Sequence, residues 1–202
     1  MRALAEGALA GFGIAIPVGP IAVLIVDTGA RRGFGAALTA GLGAATADLT
    51  YATVAAVAGL AASRALASVE DQFRAASVAV LVAIVAFRTL RLVRLASSQD
   101  PQGADGAGPR TYLAFLGLTL LNPVTVTYFA ALITGLQVSV ADDPAGKVLF
   151  VCGAFLASAS WQAGLAAVGA LSHRHLGDRA RTATGLLGNV VILAFAVRLM
   201  LS

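Results

Sequence analysis

The sequence predicts an all-α integral membrane protein, with six transmembrane helices arranged as two inverted three-helix repeats whose first and fourth helices are broken. Three observations lead there. Of the 202 residues 58% are hydrophobic and only 12% charged, whereas soluble domains carry roughly a quarter charged residues; the mean hydropathy is +0.86. Uncharged runs recur six times, several of them reaching the roughly 20 residues that span a bilayer. Prolines interrupt the runs that open the two halves.

The first run, Gly7 to Val26, follows Arg2 and could pass for a secretory signal, but it lacks a small-residue cleavage site and carries Pro17 and Pro20 in its apolar core. The second runs from Gly33 past Asp48 to Ser63, and the third from Ala75 to Phe87. Thr111 to Ala141, Val148 to Ser172 and Ala183 to Val197 are the remaining three. The short third and sixth runs are extended by Arg88, Arg91 and Arg94, and by Arg198, whose aliphatic stems can reach back to the headgroups.

Between the third and fourth runs lies the one stretch of linker composition, Ala96 to Arg110, reading ASSQDPQGADGAGPR. It divides the chain into residues 1–95, a cytoplasmic linker over 96–110, and residues 111–202. Three spans per half force the second half to enter the membrane upside down, as inverted repeats require. Short internal matches agree: Val18-Gly19-Pro20 corresponds to Leu121-Asn122-Pro123 at an offset of 103 residues, and Ala86-Phe87 to Ala194-Phe195 at the ends of the third and sixth runs.

A pI near 10.0 would suit a nucleic-acid partner, so the distribution of the charge decides. Alternating loops place Arg31, Arg32, Arg88, Arg91, Arg94, Arg110, Arg174, Arg179 and Arg181 on one side, and Arg2, Arg64, Arg74, Lys147 and Arg198 on the other. The richer side is cytoplasmic by the positive-inside rule, with both termini outside. The charge is therefore a topology signal, and no nucleic-acid partner is expected. Cys152 is the single cysteine, so no disulfide or thiol relay can form within the chain. His173 and His175 stand together in the basic loop without further ligands, and neither a metal site nor another cofactor is expected.

Pro17 and Pro20 fall near the middle of the first span. As helix residues they deprive the carbonyls of Gly13 and Ile16 of amide partners, and Gly19 lowers the cost of bending. Pro123 deprives Thr119 in the same way in the fourth span, beside the amide of Asn122. Backbone groups freed at membrane depth must line a polar cavity or find donors in the protein. Broken helices in corresponding positions of two halves place helix N-termini at the midplane, where amide dipoles suit an anionic substrate group. The alternative is a pair of structural kinks.

Asp48 stands near the centre of the second span with no cation within fourteen residues. An unpaired carboxylate there costs on the order of 2.5 to 3.5 kcal/mol to insert, so it should face the bundle interior or carry a proton. Gly41, Ala44, Ala45, Tyr51, Ala52 and Ala55 share its helical face and let a neighbouring helix come close. Such a carboxylate can hold a substrate ammonium or take up a proton; it could also be buried and satisfied by a Thr or Tyr hydroxyl. Thr46, Thr50 and Thr53, on the other side, can bond their own helix's carbonyls. Ser158, Ser160, Trp161 and Gln162 form a polar cluster in the fifth span and Asn189 stands alone in the sixth; Gln162 and Asn189 are the better candidates to line a site, since amides are costly to bury unpaired. Asp27, one turn before Arg31, reads as half of an interfacial ion pair. Gly7 with Gly11, and Ala36 with Ala40, have the spacing of close helix packing within a protomer or across a homodimer.

Taken together, Pro17-Val18-Gly19-Pro20, the glycine-rich Gly41-Leu42-Gly43 followed by Asp48, and Asn122-Pro123 resemble the lysine exporter (LysE/RhtB) family of amino-acid efflux proteins over the whole chain. Val18 enlarges that family's Pro-Gly-Pro, and Val124 stands where many members place a cation. The resemblance implies a secondary exporter in the bacterial cytoplasmic membrane, driven by the proton motive force, with an amino acid as substrate and no enzymatic activity. It places Gly19, Pro20, Asn122 and Pro123 at the helix breaks and Asp48 in the proton-coupling or ammonium-binding role. Metal-cation efflux and a non-transporting scaffold remain open beside it, whereas a DsbD/CcdA-type electron conduit would need a second membrane cysteine.

Overall fold

The computed structural model describes residues 1–17, 19–68, 107–122, 143–175 and 190–194, with single helical positions at 75, 78, 79, 82, 83, 85, 86, 125, 128 and 197. Every element in it is a helix: α1 (Arg2–Ala15), α2 (Pro20–Arg32), α3 (Phe34–Ser68), α4 (Pro109–Leu120) and α5 (Pro144–His175). Much of the expected third and sixth spans and of the linker lies outside the described residues.

Local chemistry accounts for the boundaries. Three of the helices open on proline, whose missing amide proton is no loss in the first turn. Gly19 precedes Pro20 and Gly108 precedes Pro109, both in extended conformation. Asp143 precedes Pro144, and its carboxylate caps α5 by accepting from the N–H groups of Ala145 (3.1 Å) and Gly146 (3.0 Å). Arg31 and Arg32 end α2, where cations complement the helix dipole. Gly33 then reverses the chain into α3 with a φ of +82°, a conformation that a side chain would strain.

These boundaries correct the expected spans. The first expected span ended at Val26, but the helical segment continues through Arg31 and Arg32, because long cationic side chains can lie at the membrane boundary without ending a helix. The break expected in this span is present: the segment is two helices, whose axes differ by 78°. At the far edge of the expected linker, Pro109 and Arg110 belong to α4.

Small residues bring the backbones together. A Cβ on Gly7 would overlap the backbone of Phe150, one on Gly11 the backbone of Ala154, and one on Gly153 the backbone of Leu4. The Gly7/Gly11 motif is thus occupied within the chain, along α5. Further on, a Cβ on Gly29 would lie 2.9 Å from Gly169. These pairings set α1 parallel to α5 and bring the later part of α2 against α5 farther along. Gly43 packs on Tyr112 and Leu116 while Tyr51, farther along α3, reaches Leu120, so α4 runs parallel to α3. Asp48 meets Ser158 and Gly41 meets Gln162, so α3 and α5 are antiparallel. Alanines 36, 37, 40, 44, 45 and 47 are buried along α3, which permits these close approaches.

Large aliphatic side chains point outward: Leu9, Val57, Leu113, Leu156, Leu171 and Val190 are exposed. Helix α5, through Ser172, and the bent pair of α1 with α2 are long and apolar enough to cross a membrane. A core rich in alanine, with a few large residues such as Ile25, Phe150 and Ile192, under a surface that exposes leucine and valine suits close helix packing in lipid.

Candidate functional site

Asp48 is buried, 3% exposed. Its Oδ2 accepts a 2.6 Å hydrogen bond from the Ser158 hydroxyl of α5, in a setting where an unmet carboxyl group is costly. The expectation that Asp48 faces the bundle interior therefore holds, with serine rather than Thr or Tyr as the donor. Ser158 is the middle residue of the apolar stretch Pro144–Ser172, so this contact lies halfway along it.

The first helix break lies level with this contact along α5. Pairing of α1 with α5 reaches Gly11 on Ala154, and pairing of α2 with α5 is again seen at Gly29 on Gly169. Between those two contacts fall the break at residues 16–19 on one side, and Ser158, Trp161 and Gln162 on the other. Pro20 stands at the first position of α2 rather than within a continuous helix. The carbonyls of Gly13 and Ile16 therefore lose their partners because the chain leaves the helix after Ala15, as the two prolines require. Val23 donates to the Gly19 carbonyl at 3.2 Å, whereas the N–H groups of Ile21 and Ala22 belong to the first turn and have no helical carbonyl before them. A Cβ on Gly19 would meet nothing within 4 Å.

The second break follows α4. Leu121 caps the helix and Asn122 has left it. The carbonyl of Thr119, expected to be orphaned by Pro123, instead accepts the N–H of Asn122 at 3.1 Å, since the helix tightens in its last turn. The carbonyl whose donor comes from elsewhere is that of Leu120, which takes the Tyr51 hydroxyl at 2.6 Å. Tyr51 lies one turn from Asp48 on the same face of α3, so this face holds the acid on one helix and the broken end of another.

Gln162, one turn beyond Ser158, is 6% exposed. A Cβ on Gly41 would lie 2.9 Å from its Cβ, so the missing side chain at Gly41 makes room for the amide. Its Oε1 and the indole Nε1 of Trp161 are buried with no hydrogen-bond partner. Pro123 and Asn189, also expected at the site, lie outside the described residues. Gly19, Pro20, Asp48, Asn122 and Gln162 are placed by the structure at three points: the α2 start, the α3–α5 seam and the α4 end.

Other expected contacts divide. Arg31 donates to Asp27 at 2.9 Å, the expected ion pair. Thr46, Thr50 and Thr53 donate to carbonyls one turn back, but Thr46 also accepts the Tyr112 hydroxyl at 2.9 Å and so joins α3 to α4. The Tyr128 ring covers Gly13, and its hydroxyl lies 3.4 Å from the Ala10 carbonyl. Neither tyrosine was singled out by sequence; a lone Tyr hydroxyl in an apolar run, which needs a partner when buried, is the signal that could have found them.

The model of the LysE type translocators matches residues 12–202, nearly the whole chain. The chain belongs to the LysE type translocator family. No curated protein and no solved structure matches it at comparable stringency. Membership makes the chain a membrane protein of a translocator family, which replaces the scaffold reading. The match begins at Phe12 and so takes in both breaks, Asp48, Ser158 and Gln162.

Proposed function

We propose that this LysE type translocator is a secondary exporter of amino acids and related small zwitterionic metabolites in the bacterial cytoplasmic membrane, driven by the proton motive force. The observation that carries the reading is the Asp48–Ser158 hydrogen bond halfway along the apolar stretch of α5, level with the α1–α2 break. Asp48 supplies a carboxylate for a substrate ammonium or a proton. The first turn of α2, opened by Gly19 and Pro20, supplies amide donors and the positive end of a helix dipole for a substrate carboxylate. Asn122 and Pro123 at the second break, with Gln162 and Asn189, complete the lining.

The helix pairings support an inverted repeat. The first helix of each half packs on the middle helix of the other, α1 on α5 and α4 on α3, and the two middle helices pack antiparallel on each other. Exchanging the halves exchanges these contacts, as a two-fold axis in the membrane plane requires. In this arrangement the end carrying Arg31, Arg32 and Arg110 is cytoplasmic and the N-terminus is outside.

The test is accumulation of each amino acid outside cells fed dipeptides, with and without this chain. Faster appearance of one or a few amino acids, collapsed by an uncoupler, is the expected result. Equal export across the panel in both strains overturns the reading.

A further inference from the structure

Burying an amide oxygen without a donor is costly, and on α5 an unpaired acceptor, Gln162 Oε1, adjoins an unpaired donor, Trp161 Nε1. Gln162 lies on the seam with α3, against Gly41 and one turn from the Asp48–Ser158 contact. Trp161 is seven residues beyond Ala154 and eight before Gly169, the two points where α5 meets α1 and α2. Those spacings put Trp161 on the stripe of α5 that follows the broken helix, level with the break. The orphan acceptor therefore lies one turn along α5 from the serine that holds the acid, and the orphan donor lies on the stripe that follows the broken helix.

We propose that Gln162 and Trp161 read the two ends of the substrate: the Gln162 amide oxygen accepts from the ammonium alongside Asp48, and the Trp161 indole N–H donates to the carboxylate. This rests on the export reading and narrows it to substrates with a free primary ammonium. An ammonium carries three protons, so it can give one to the Gln162 oxygen and another to the Asp48 carboxylate. A trimethylated nitrogen keeps the charge and has no proton to give. An esterified carboxylate loses the charge that the indole and the α2 amides would meet.

Trp161 is the single tryptophan of the chain, so its fluorescence reports on the site without transport. Purified protein in detergent is titrated with L-alanine, L-leucine, L-lysine and L-glutamate, and with the Nα-trimethyl derivative and the α-methyl ester of each. A saturable change is expected for at least one free amino acid, with the trimethyl derivative and the ester each at least tenfold weaker. Gln162→Met keeps the side chain's length without the amide; it should bring the trimethyl derivative within threefold of its parent, leave the ester discrimination in place, and melt no lower than the wild type. Gln162→Leu is the second variant, with the same expectation, should methionine fail to fold. If a free amino acid binds and its trimethyl derivative binds equally well, or if Gln162→Met and Gln162→Leu leave the discrimination intact, the role of Gln162 is overturned while export stands. Absence of any response from all four amino acids, together with no export from dipeptide-fed cells, overturns both.

Discussion

The Tyr51 hydroxyl donates a 2.6 Å hydrogen bond to the carbonyl of Leu120, joining the acid-bearing face of α3 to the end of α4. The helix stops at Leu120, so its last carbonyls need donors from outside. Tyr51→Phe keeps the ring and removes the donor. It should cost about 1–3 kcal/mol, read as a lower melting temperature in detergent, and should slow export by loosening the second break. Unchanged melting and export would show that the Leu120 carbonyl needs no donor.

Asp48→Asn should abolish export while the protein still inserts and purifies as a single species, because the amide can keep the Ser158 contact but supplies neither charge nor an exchangeable carboxyl proton. Ser158→Ala, which leaves the carboxylate without its donor, should lower export without abolishing it. In vesicles, wild-type transport should respond to an imposed pH gradient and Asp48→Asn should not. Export by Asp48→Asn at the wild-type rate removes Asp48 from the mechanism.

How much of this was legible in the sequence depends on how local each cause is. A lone acid in a long uncharged run is visible, and so are prolines, because their effect on the backbone falls within four residues. Ser158 was visible as one of several polar residues, but its pairing with Asp48 spans 110 positions and no local pattern encodes it. The same holds for Tyr51 and the Leu120 carbonyl. Gly7 and Gly11 announced a close approach without saying to what; the answer, the α5 backbone, is a tertiary fact. Span ends were misread at Arg31 and Arg32 because a charge ends an apolar run without ending a helix.

Close approach of α1 to α5 makes a specific stability prediction. Gly11→Val would place side-chain atoms on the Ala154 backbone and should destabilise by about 1–3 kcal/mol. Gly164→Ala on α5, where a Cβ would meet nothing within 4 Å, should be neutral or stabilise by up to about 1 kcal/mol through helix propensity. Size-exclusion profiles after a temperature series distinguish the two. Equal loss from both would mean that the α1–α5 register is not the one described.

Sidedness can be read with cysteines once Cys152, itself exposed, is changed to serine. Ala145 and Arg32 are both exposed near opposite ends of the bundle. With the N-terminus outside, Ala145→Cys should react with a membrane-impermeant maleimide in intact cells, and Arg32→Cys only in inside-out vesicles. The opposite pattern would reverse the proposed orientation, and with it the direction in which Asp48 must be loaded for export.

Pro20→Ala separates a break that serves function from one that serves folding. Pro20 opens α2, where alanine is tolerated and no hydrogen bond of the native helix is lost. A structural role therefore predicts little change in melting, and so does the functional one; export distinguishes them. Alanine restores an amide proton and frees φ at residue 20, so α1 and α2 can join into a continuous helix, taking the N–H groups of Ile21 and Ala22 into the ladder. Export should then fall at least tenfold with the melting temperature within a few degrees of wild type, and combining Pro20→Ala with Pro17→Ala should deepen the loss. Wild-type export from a well-folded double variant would mean that the α2 start does not face the substrate.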